Sequence, residues 1–315
     1  MNFINTSKIK LINKKLYEDS FEGIVFFVSD KNYSRFVSPL LSSLEIFAEN
    51  WLQIYFQIGN FKFDDNNKMN LIKIKIKNEF IKEKEKKAFC ANIRIPILYE
   101  LINEINISKL IYTDVDNILT NNINNLFYGN EYKIFIRKVN RNLVDFTLKT
   151  QNIMEYKSGV IVISNPSERF LRMDDDIKSF IATFNDFSKE RLHIWFEDQI
   201  ALYKTFQSLP HITKVSNFGI EICDWNLNPS SIFWAAKGYI KDTFFWKLLS
   251  LRIILLNKLF KLKLFKKNSK KFKIIYLVNT LINTLIQPII FFRFTIYNYF
   301  LRIIKYFYKL FFINK

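Results

Sequence analysis

Apolar and polar positions change period repeatedly along the first 240 residues. Gly23-Ile-Val-Phe-Phe-Val-Ser29 is an uninterrupted apolar run between polar flanks, the pattern of a strand buried on both faces. Over Asn32–Glu49, Phe36, Leu40, Leu44 and Phe47 recur at helical spacing and predict a helix. Leu52–Ile58 is aromatic and β-branched, and Leu71–Ile76 alternates apolar residues with Lys, so both predict strands, the second wet on one side. A helix is expected over Asn92–Ile105, with Pro96 tolerable only in its first turn. Lys109-Leu-Ile-Tyr-Thr113 predicts a strand that runs into Asp114-Val115-Asp116, and Gly159–Ser164 predicts another. Helices follow from Pro166 to about Phe184 and over Glu197–Phe206. Strand then helix, repeated, implies a three-layer α/β domain with a largely parallel sheet, whose ligands bind beyond the carboxyl ends of the strands. Asp30/Asn32, Asp114/Asp116 and Ser158/Gly159 are the polar clusters at those ends. The first twenty residues are polar and lysine-rich and lack the apolar stretch of a signal peptide.

From Thr243 the pattern changes. Aromatic and aliphatic residues alternate with Lys, as in Lys258-Leu-Phe-Lys-Leu-Lys-Leu-Phe-Lys-Lys267. Ile274–Phe292 carries no charge and is long enough to cross a bilayer. Asn279, Thr280, Asn283, Thr284, Gln287 and Pro288 make a lone span costly, so this stretch is expected to lie in the membrane interface. Charge divides the chain at the same place: of 47 Lys and Arg against 29 Asp and Glu, residues 241–315 hold 16 of the bases and one acid, Asp242. Two parts are therefore expected, a nearly neutral domain over 1–240 and a basic, aromatic-rich helical tail over 241–315. Each Lys or Arg near an anionic leaflet contributes about 1 kcal/mol, so the tail predicts a peripheral protein on the cytoplasmic face of the plasma membrane. A nucleic-acid arm would be more polar, and no nucleic-acid partner is expected. A packed helical subdomain is the competing account of the tail.

Composition removes other classes. With 34 Phe the chain is no disordered polymer, and among six Gly no G-x-G-x-x-G or G-x-x-x-x-G-K-[ST] occurs. Cys90 and Cys223, with His193 and His211, show neither a disulfide framework nor zinc spacing, and all four suit structural roles. Asp174-Asp-Asp176 reads as a solvated acidic turn early in a helix. In an extended backbone Asp114 and Asp116 would face one side, and two hard oxygen donors suit Mn²⁺ or Mg²⁺. Without a glycine-rich loop, a diphosphate would have to be neutralised by metal and lysine. A solvated loop with two acids would look the same locally.

Lys109-Leu-Ile-Tyr-Thr-Asp-Val-Asp-Asn-Ile-Leu-Thr120, with Ile123-Asn-Asn-Leu-Phe127, resembles the D-x-D block of glycosyltransferase family 8. Those enzymes are retaining, have the GT-A Rossmann-like fold and use nucleotide sugars, most often UDP-sugars. Val28-Ser-Asp-Lys-Asn-Tyr33 is similar to the family's first βα turn, which implies that Asp30 and Asn32 hold the nucleobase. Ala91-Asn-Ile-Arg94 places Arg94 as the sugar-contacting Arg, and Tyr156-Lys-Ser-Gly-Val160 places Ser158 at the donor. Phe196-Glu-Asp-Gln199 resembles the element in which Asp198 contacts the donor sugar and Gln199 lies near the anomeric carbon. Ala236-Lys237-Gly238 resembles the late motif whose Lys, here Lys237, contacts the diphosphate. The resemblance spans about residues 22–240.

The chain departs from that pattern where the family has a metal-binding His: Ser231 stands there, leaving His211, Asp224 or water for that coordination position. Lys157 replaces a frequent sugar-binding Asn, and Gly238-Tyr239 replaces Pro-Trp. The resemblance implies a metal on Asp114 and Asp116 that, with Lys237, stabilises the departing diphosphate. Attack by the acceptor hydroxyl on the front face would retain configuration, Gln199 serving to position rather than to form a covalent bond. With a membrane tail, the acceptor is expected to be a saccharide or lipid-linked saccharide in cell-surface polysaccharide synthesis. Two other readings compete. One is a non-catalytic membrane scaffold with a degenerate transferase fold. The other is a haloacid-dehalogenase-like phosphatase using Asp114 and Asp116, which lacks the expected Lys between Ser164 and Asp174.

Overall fold

The computed structural model describes residues 3–62, 70–77, 83–127, 133–138, 156–164, 174–194, 197–211, 215–217, 222–224, 231–236, 241 and 244–261. In chain order the elements are α1 (Thr6–Glu18), β1 (Gly23–Ser29), α2 (Val37–Phe47), β2 (Trp51–Ile58), β3 (Leu71–Ile76), α3 (Glu83–Asn92), α4 (Arg94–Glu104), β4 (Lys109–Thr113), β5 (Asn117–Leu119), β6 (Lys133–Lys138), β7 (Tyr156–Ser164), α5 (Asp175–Ser188), α6 (Glu197–Ser208), β8 (Val215–Asn217), β9 (Cys223–Asp224), β10 (Phe233–Ala235) and α7 (Phe244–Lys261). Seven strands form one sheet in the order β3-β2-β1-β4-β7-β6-β8, and β5-β10-β9 form a small second sheet. In the large sheet β3/β2, β2/β1, β1/β4 and β6/β8 are parallel, while β7 runs antiparallel to β4 and β6. The sheet is thus mostly parallel, as expected.

Strand parity builds two cores, one on each face. Ile24, Phe26 and Val28 of β1, Leu110 and Tyr112 of β4, and Ile161 and Ile163 of β7 point to a core closed by α1, α4, α5 and α6. Val25, Phe27, Ile111, Val160 and Val162 point the other way, under α2, α7 and the small sheet. That arrangement is the three-layer sandwich inferred from the alternation of strands and helices. Gly23 is required where β1 passes Trp51 and Lys109: a Cβ there would stand 2.4 Å from the Trp51 ring and 2.6 Å from the Lys109 carbonyl.

Some elements differ from expectation. The polar N-terminal stretch forms α1, capped by Asn5, whose side chain accepts from the Lys8 N–H at 3.0 Å; only Ile12 and Leu16 are buried along the helix. The helix expected over 92–105 is α4, with Pro96 in its first turn, and a separate α3 that was not anticipated precedes it, the two meeting at Ile93. β6 was not anticipated. α5 is described only from 175, with Asp174 as its N-cap, accepting from the N–H groups of Asp176 and Ile177. Of the stretch expected to form the tail, 244–261 are α7, whose Trp246, Leu249 and Ile253 are buried beside α2. Residues 262–315, with the bilayer-length stretch 274–292, lie outside the described residues.

Candidate functional site at the carboxyl edge of the sheet

β1 and β4 pair in parallel with Phe26 opposite Tyr112, so Asp30 and Asp114 emerge at the same sheet edge. β7 reaches that edge by its amino end, and the Asp114 N–H donates to the Gly159 carbonyl at 2.8 Å. The three expected polar clusters therefore share one rim. The side chains of Lys157 and Ser158, and all of Lys237, lie outside the described residues, as do the expectations attached to them.

Arg94 organises one part of the rim. At the start of α4 its guanidinium is buried, donating from Nη1 to Asp114 Oδ1 at 2.7 Å and to the Tyr112 hydroxyl at 3.0 Å, and from Nη2 to Asp198 Oδ2. The Tyr112 hydroxyl in turn donates to Asp114 Oδ1 at 2.7 Å. Burial works against the charge on Arg94, but Tyr112, Asp198 and Asp114 outweigh it and hold the pKa above the ordinary arginine value. The break at Ile93 sets Asn92 beside this network. Its amide donates to the carbonyls of Leu192 and Ile194 at 2.9 and 2.7 Å, and its oxygen accepts from the Asp198 N–H at 3.2 Å. Arg94, Asp114 and Asp198, nominated separately by sequence, are thus joined directly. Tyr112 and Asn92 were not anticipated, although Tyr112 lies one pleat before Asp114 and Asn92 two residues before Arg94.

The carboxylate pair is not displayed by an extended strand. β4 ends at Thr113, and Asp114 to Asn117 form a turn closed by the Asn117 N–H on the Asp114 carbonyl at 3.1 Å. Asp114 and Asp116 are therefore not brought to one side by strand parity, and the two acids have different partners. Asp116 is buried. Its Oδ2 pairs with the Lys241 ammonium, its carbonyl accepts from the Ala236 N–H at 3.1 Å, and its Oδ1 is buried without a hydrogen-bond partner among the described residues. Lys241, expected to belong to the tail, also lies 4.6 Å from the centroid of the Tyr33 ring. The Tyr33 N–H donates to Asp30 Oδ1 at 3.0 Å, and Asp30 Oδ2 is buried without a hydrogen-bond partner among the described residues. Asn32 is exposed beside them.

Glu197, Asp198 and Gln199 form the buried first turn of α6. Gln199 Oε1 is another buried acceptor with no partner among the described residues. Burial raises the pKa of Glu197, opposed by Arg191, whose Nε is 3.2 Å from Oε2. Cys90 is half-buried and Cys223 buried, both as free thiols; burial above all, and then the charge of Asp30, push the Cys90 thiol up. His193 and His211 are exposed in turns. Ser231 is buried beside the small sheet, its carbonyl accepting from Thr120 Oγ1 and from Asn121 Nδ2. The Asp224 side chain lies outside the described residues.

A divalent ion needs several hard oxygen or nitrogen donors converging on one point. Asp114 Oδ1 and Asp116 Oδ2 are instead each engaged by a cationic side chain, and among the described residues no three His, Cys, Asp or Glu stand together as ligands. The described residues do not fit a metal centre in this arrangement.

No protein-family model matches the chain, and no curated protein matches it. Solved structures are similar to it. One is the galactosyltransferase LgtC in complex with donor and acceptor sugar analogues, at 12% identity over 73% of this chain and 95% of that one, with a TM-score of 0.46. The glycosyltransferase GlyE of Streptococcus pneumoniae TIGR4 follows at 14% identity, 79% of this chain and 66% of that one, with a TM-score of 0.45. The bifunctional glycosyltransferase WbbM matches at 15% identity, 74% of this chain and 44% of that one, with a TM-score of 0.39.

Proposed function

We propose that the protein is a retaining glycosyltransferase that moves a hexose from a nucleotide sugar, a UDP-sugar in the first instance, to a saccharide or lipid-linked acceptor at the cytoplasmic membrane surface. One observation carries this reading. Residues nominated from four separate stretches, Asp30, Arg94, Asp114/Asp116 and Asp198/Gln199, converge on a single sheet edge. In an α/β sheet that edge is where ligands bind. The buried oxygens left without hydrogen-bond partners, Asp30 Oδ2 and Gln199 Oε1, suit donors of a nucleobase and a sugar. In this reading Asp30 and Asn32 hold the base, and Asp198, fixed by Arg94 and Asn92, accepts from sugar hydroxyls. Gln199 steadies positive charge at the anomeric carbon, and the acceptor oxygen attacks from the face that the diphosphate leaves, its proton passing to the departing phosphate.

The membrane part of the proposal is supported by α7. Its inner face is buried on the body, while Lys247, Leu251, Leu255 and Lys258 are exposed on the outer side, an amphipathic surface continuous in sequence with the basic stretch beyond it. No helix among the described residues is long and apolar enough to cross a membrane.

The test uses the full chain with UDP-glucose, UDP-galactose, UDP-N-acetylglucosamine and GDP-mannose, with and without membrane glycolipid. Release of nucleoside diphosphate, raised by glycolipid and giving a product of unchanged anomeric configuration, is the expected result. Nucleotide binding without turnover of any donor would favour the scaffold reading. Phosphomonoester hydrolysis with Asp114 phosphorylated would replace both with the phosphatase.

A further inference from the structure

Lys241 is separated from the D-x-D turn by more than a hundred residues of sequence, yet its ammonium is the group that meets Asp116. It is held on three sides: by Asp116 Oδ2, by the Tyr33 ring at 4.6 Å and by the Phe36 ring at 5.9 Å, with the Tyr33 hydroxyl 3.4 Å from Nζ. A carboxylate and aromatic faces together fix an ammonium more firmly than either alone. Asp116 Oδ1 is sealed from solvent, so Oδ2 is the oxygen through which this carboxylate meets a cation. Lys241 keeps 17% of its side chain exposed, against 7% for Arg94, which is locked between Asp114 and Asp198. Of the two described cations that pair with the D-x-D carboxylates, Lys241 is the more exposed.

We infer that Lys241 brings to the donor's diphosphate the positive charge that a divalent ion would otherwise bring, so that nucleotide binding is independent of added metal. This rests on the nucleotide-sugar reading above and deepens it. Asp116 acts as a positioning residue that aims the ammonium, and Tyr33 couples it to Asp30 through the N–H bond on Asp30 Oδ1. A phosphate oxygen that reaches the Lys241 ammonium shares it with Asp116. At the buried wall of the rim that attraction is screened less than in open water.

The experiment measures binding of UDP, GDP and ADP to the full chain by calorimetry, once in EDTA and once with Mn²⁺. It compares the natural protein with Lys241→Met and Lys241→Arg, and follows bound Mn²⁺ by electron paramagnetic resonance. The natural protein should bind its preferred nucleotide with affinities in EDTA and Mn²⁺ within about two-fold of each other. Lys241→Met should lose about ten-fold or more in EDTA, the scale of one charge-assisted contact, and regain part of it with Mn²⁺ as the released Asp116 takes up the ion. Lys241→Arg, which keeps the charge, should retain binding in EDTA and shows that the loss is not misfolding. If the natural protein binds only with Mn²⁺, or if Lys241→Met binds as it does, the inference is overturned and the metal-dependent transferase stands. If no nucleoside diphosphate binds under either condition, the donor reading itself falls, and this inference with it.

Discussion

Arg94 and Asp30 meet at one edge of the sheet, and their surroundings differ in what they leave unpaired. The Arg94 guanidinium spans Asp114 and Asp198, Tyr112 adds a hydroxyl, and Asn92 ties Asp198 to the loop at Leu192 and Ile194. Asp30, Asp116 and Gln199, equally buried, each keep an oxygen without a hydrogen-bond partner among the described residues. A buried acceptor left without a partner costs about 1–3 kcal/mol, so a fold retains one only where something else is gained. The difference is between a guanidinium held at both terminal nitrogens and acceptor oxygens that a ligand can complete. Mutations in the two groups should therefore fail in opposite ways.

The largest effect is expected at Arg94. Replacing it with Met strands the buried Asp198 and the partly buried Asp114, and breaking a buried pair in this way costs about 3–5 kcal/mol. Urea unfolding should show a midpoint shift of that size. Arg94→Lys should recover only part, because an ammonium lacks the planar fork that spans two acids. A loss below about 1 kcal/mol would remove Arg94 from the scaffold and break the comparison.

Asp30→Asn should do the reverse. Oδ1 can still accept from the Tyr33 N–H, and Oδ2 has no hydrogen bond among the described residues to lose, so stability should stay within about 1 kcal/mol of the natural protein. The free carboxylate oxygen becomes an amide donor, and nucleotide affinity should fall about ten- to a hundred-fold, the worth of one hydrogen bond to a charged group. Calorimetry and urea unfolding on the same preparation separate the two quantities. Lower stability with unchanged affinity would place Asp30 in the scaffold instead.

The division explains what the sequence could disclose. β1 and β4 were legible because Gly23–Ser29 is buried through its length and Leu110–Thr113 of β4 likewise. α1 was not, because Ile12 and Leu16 are its only buried residues among many lysines. Arg94, Asp114 and Asp198 could each be nominated by a local motif. Their mutual pairing could not, since Arg94 and Asp198 lie 104 residues apart and only the tertiary fold brings the start of α4 to the first turn of α6. Lys241 was hidden most completely. It opens a segment rich in like charges, and composition cannot tell which of its lysines meets Asp116.

The same contrast recurs on α7 at a smaller scale. Trp246, Leu249 and Ile253 are buried, whereas Leu251 and Leu255 are 58% and 59% exposed on the outer face. Truncating both to Ser should leave urea stability nearly unchanged. If that face meets a membrane, it should weaken binding to phosphatidylglycerol vesicles about ten-fold or somewhat more, from roughly 1 kcal/mol for the exposed part of each leucine. Unchanged vesicle binding together with lower stability would assign Leu251 and Leu255 to the fold and leave α7 a packing helix on both sides.

Glu197 stands between the two groups, and its effect should be the smallest. It is fully buried beside Asp198, and Arg191 offers partial compensation from a half-exposed position, 3.2 Å from Oε2. Burial raises its pKa above the ordinary 4.5, so the folded protein holds a proton that the unfolded chain has released as pH climbs past that value. A group of this sign contributes stability at acid pH and withdraws it as pH rises through the folded-state pKa. Glu100 acts in the same direction, since burial raises it more than the N–H groups of Phe3 and Ile4 lower it. Glu197→Gln removes one of the two contributions. The advantage of the natural protein over this variant should therefore be greater at about pH 4 than at about pH 7, with the decline beginning near the unfolded-state value. A difference in unfolding free energy that stays flat across this range would mean that Arg191 compensates Glu197 completely, and would move Glu197 into the scaffold with Arg94.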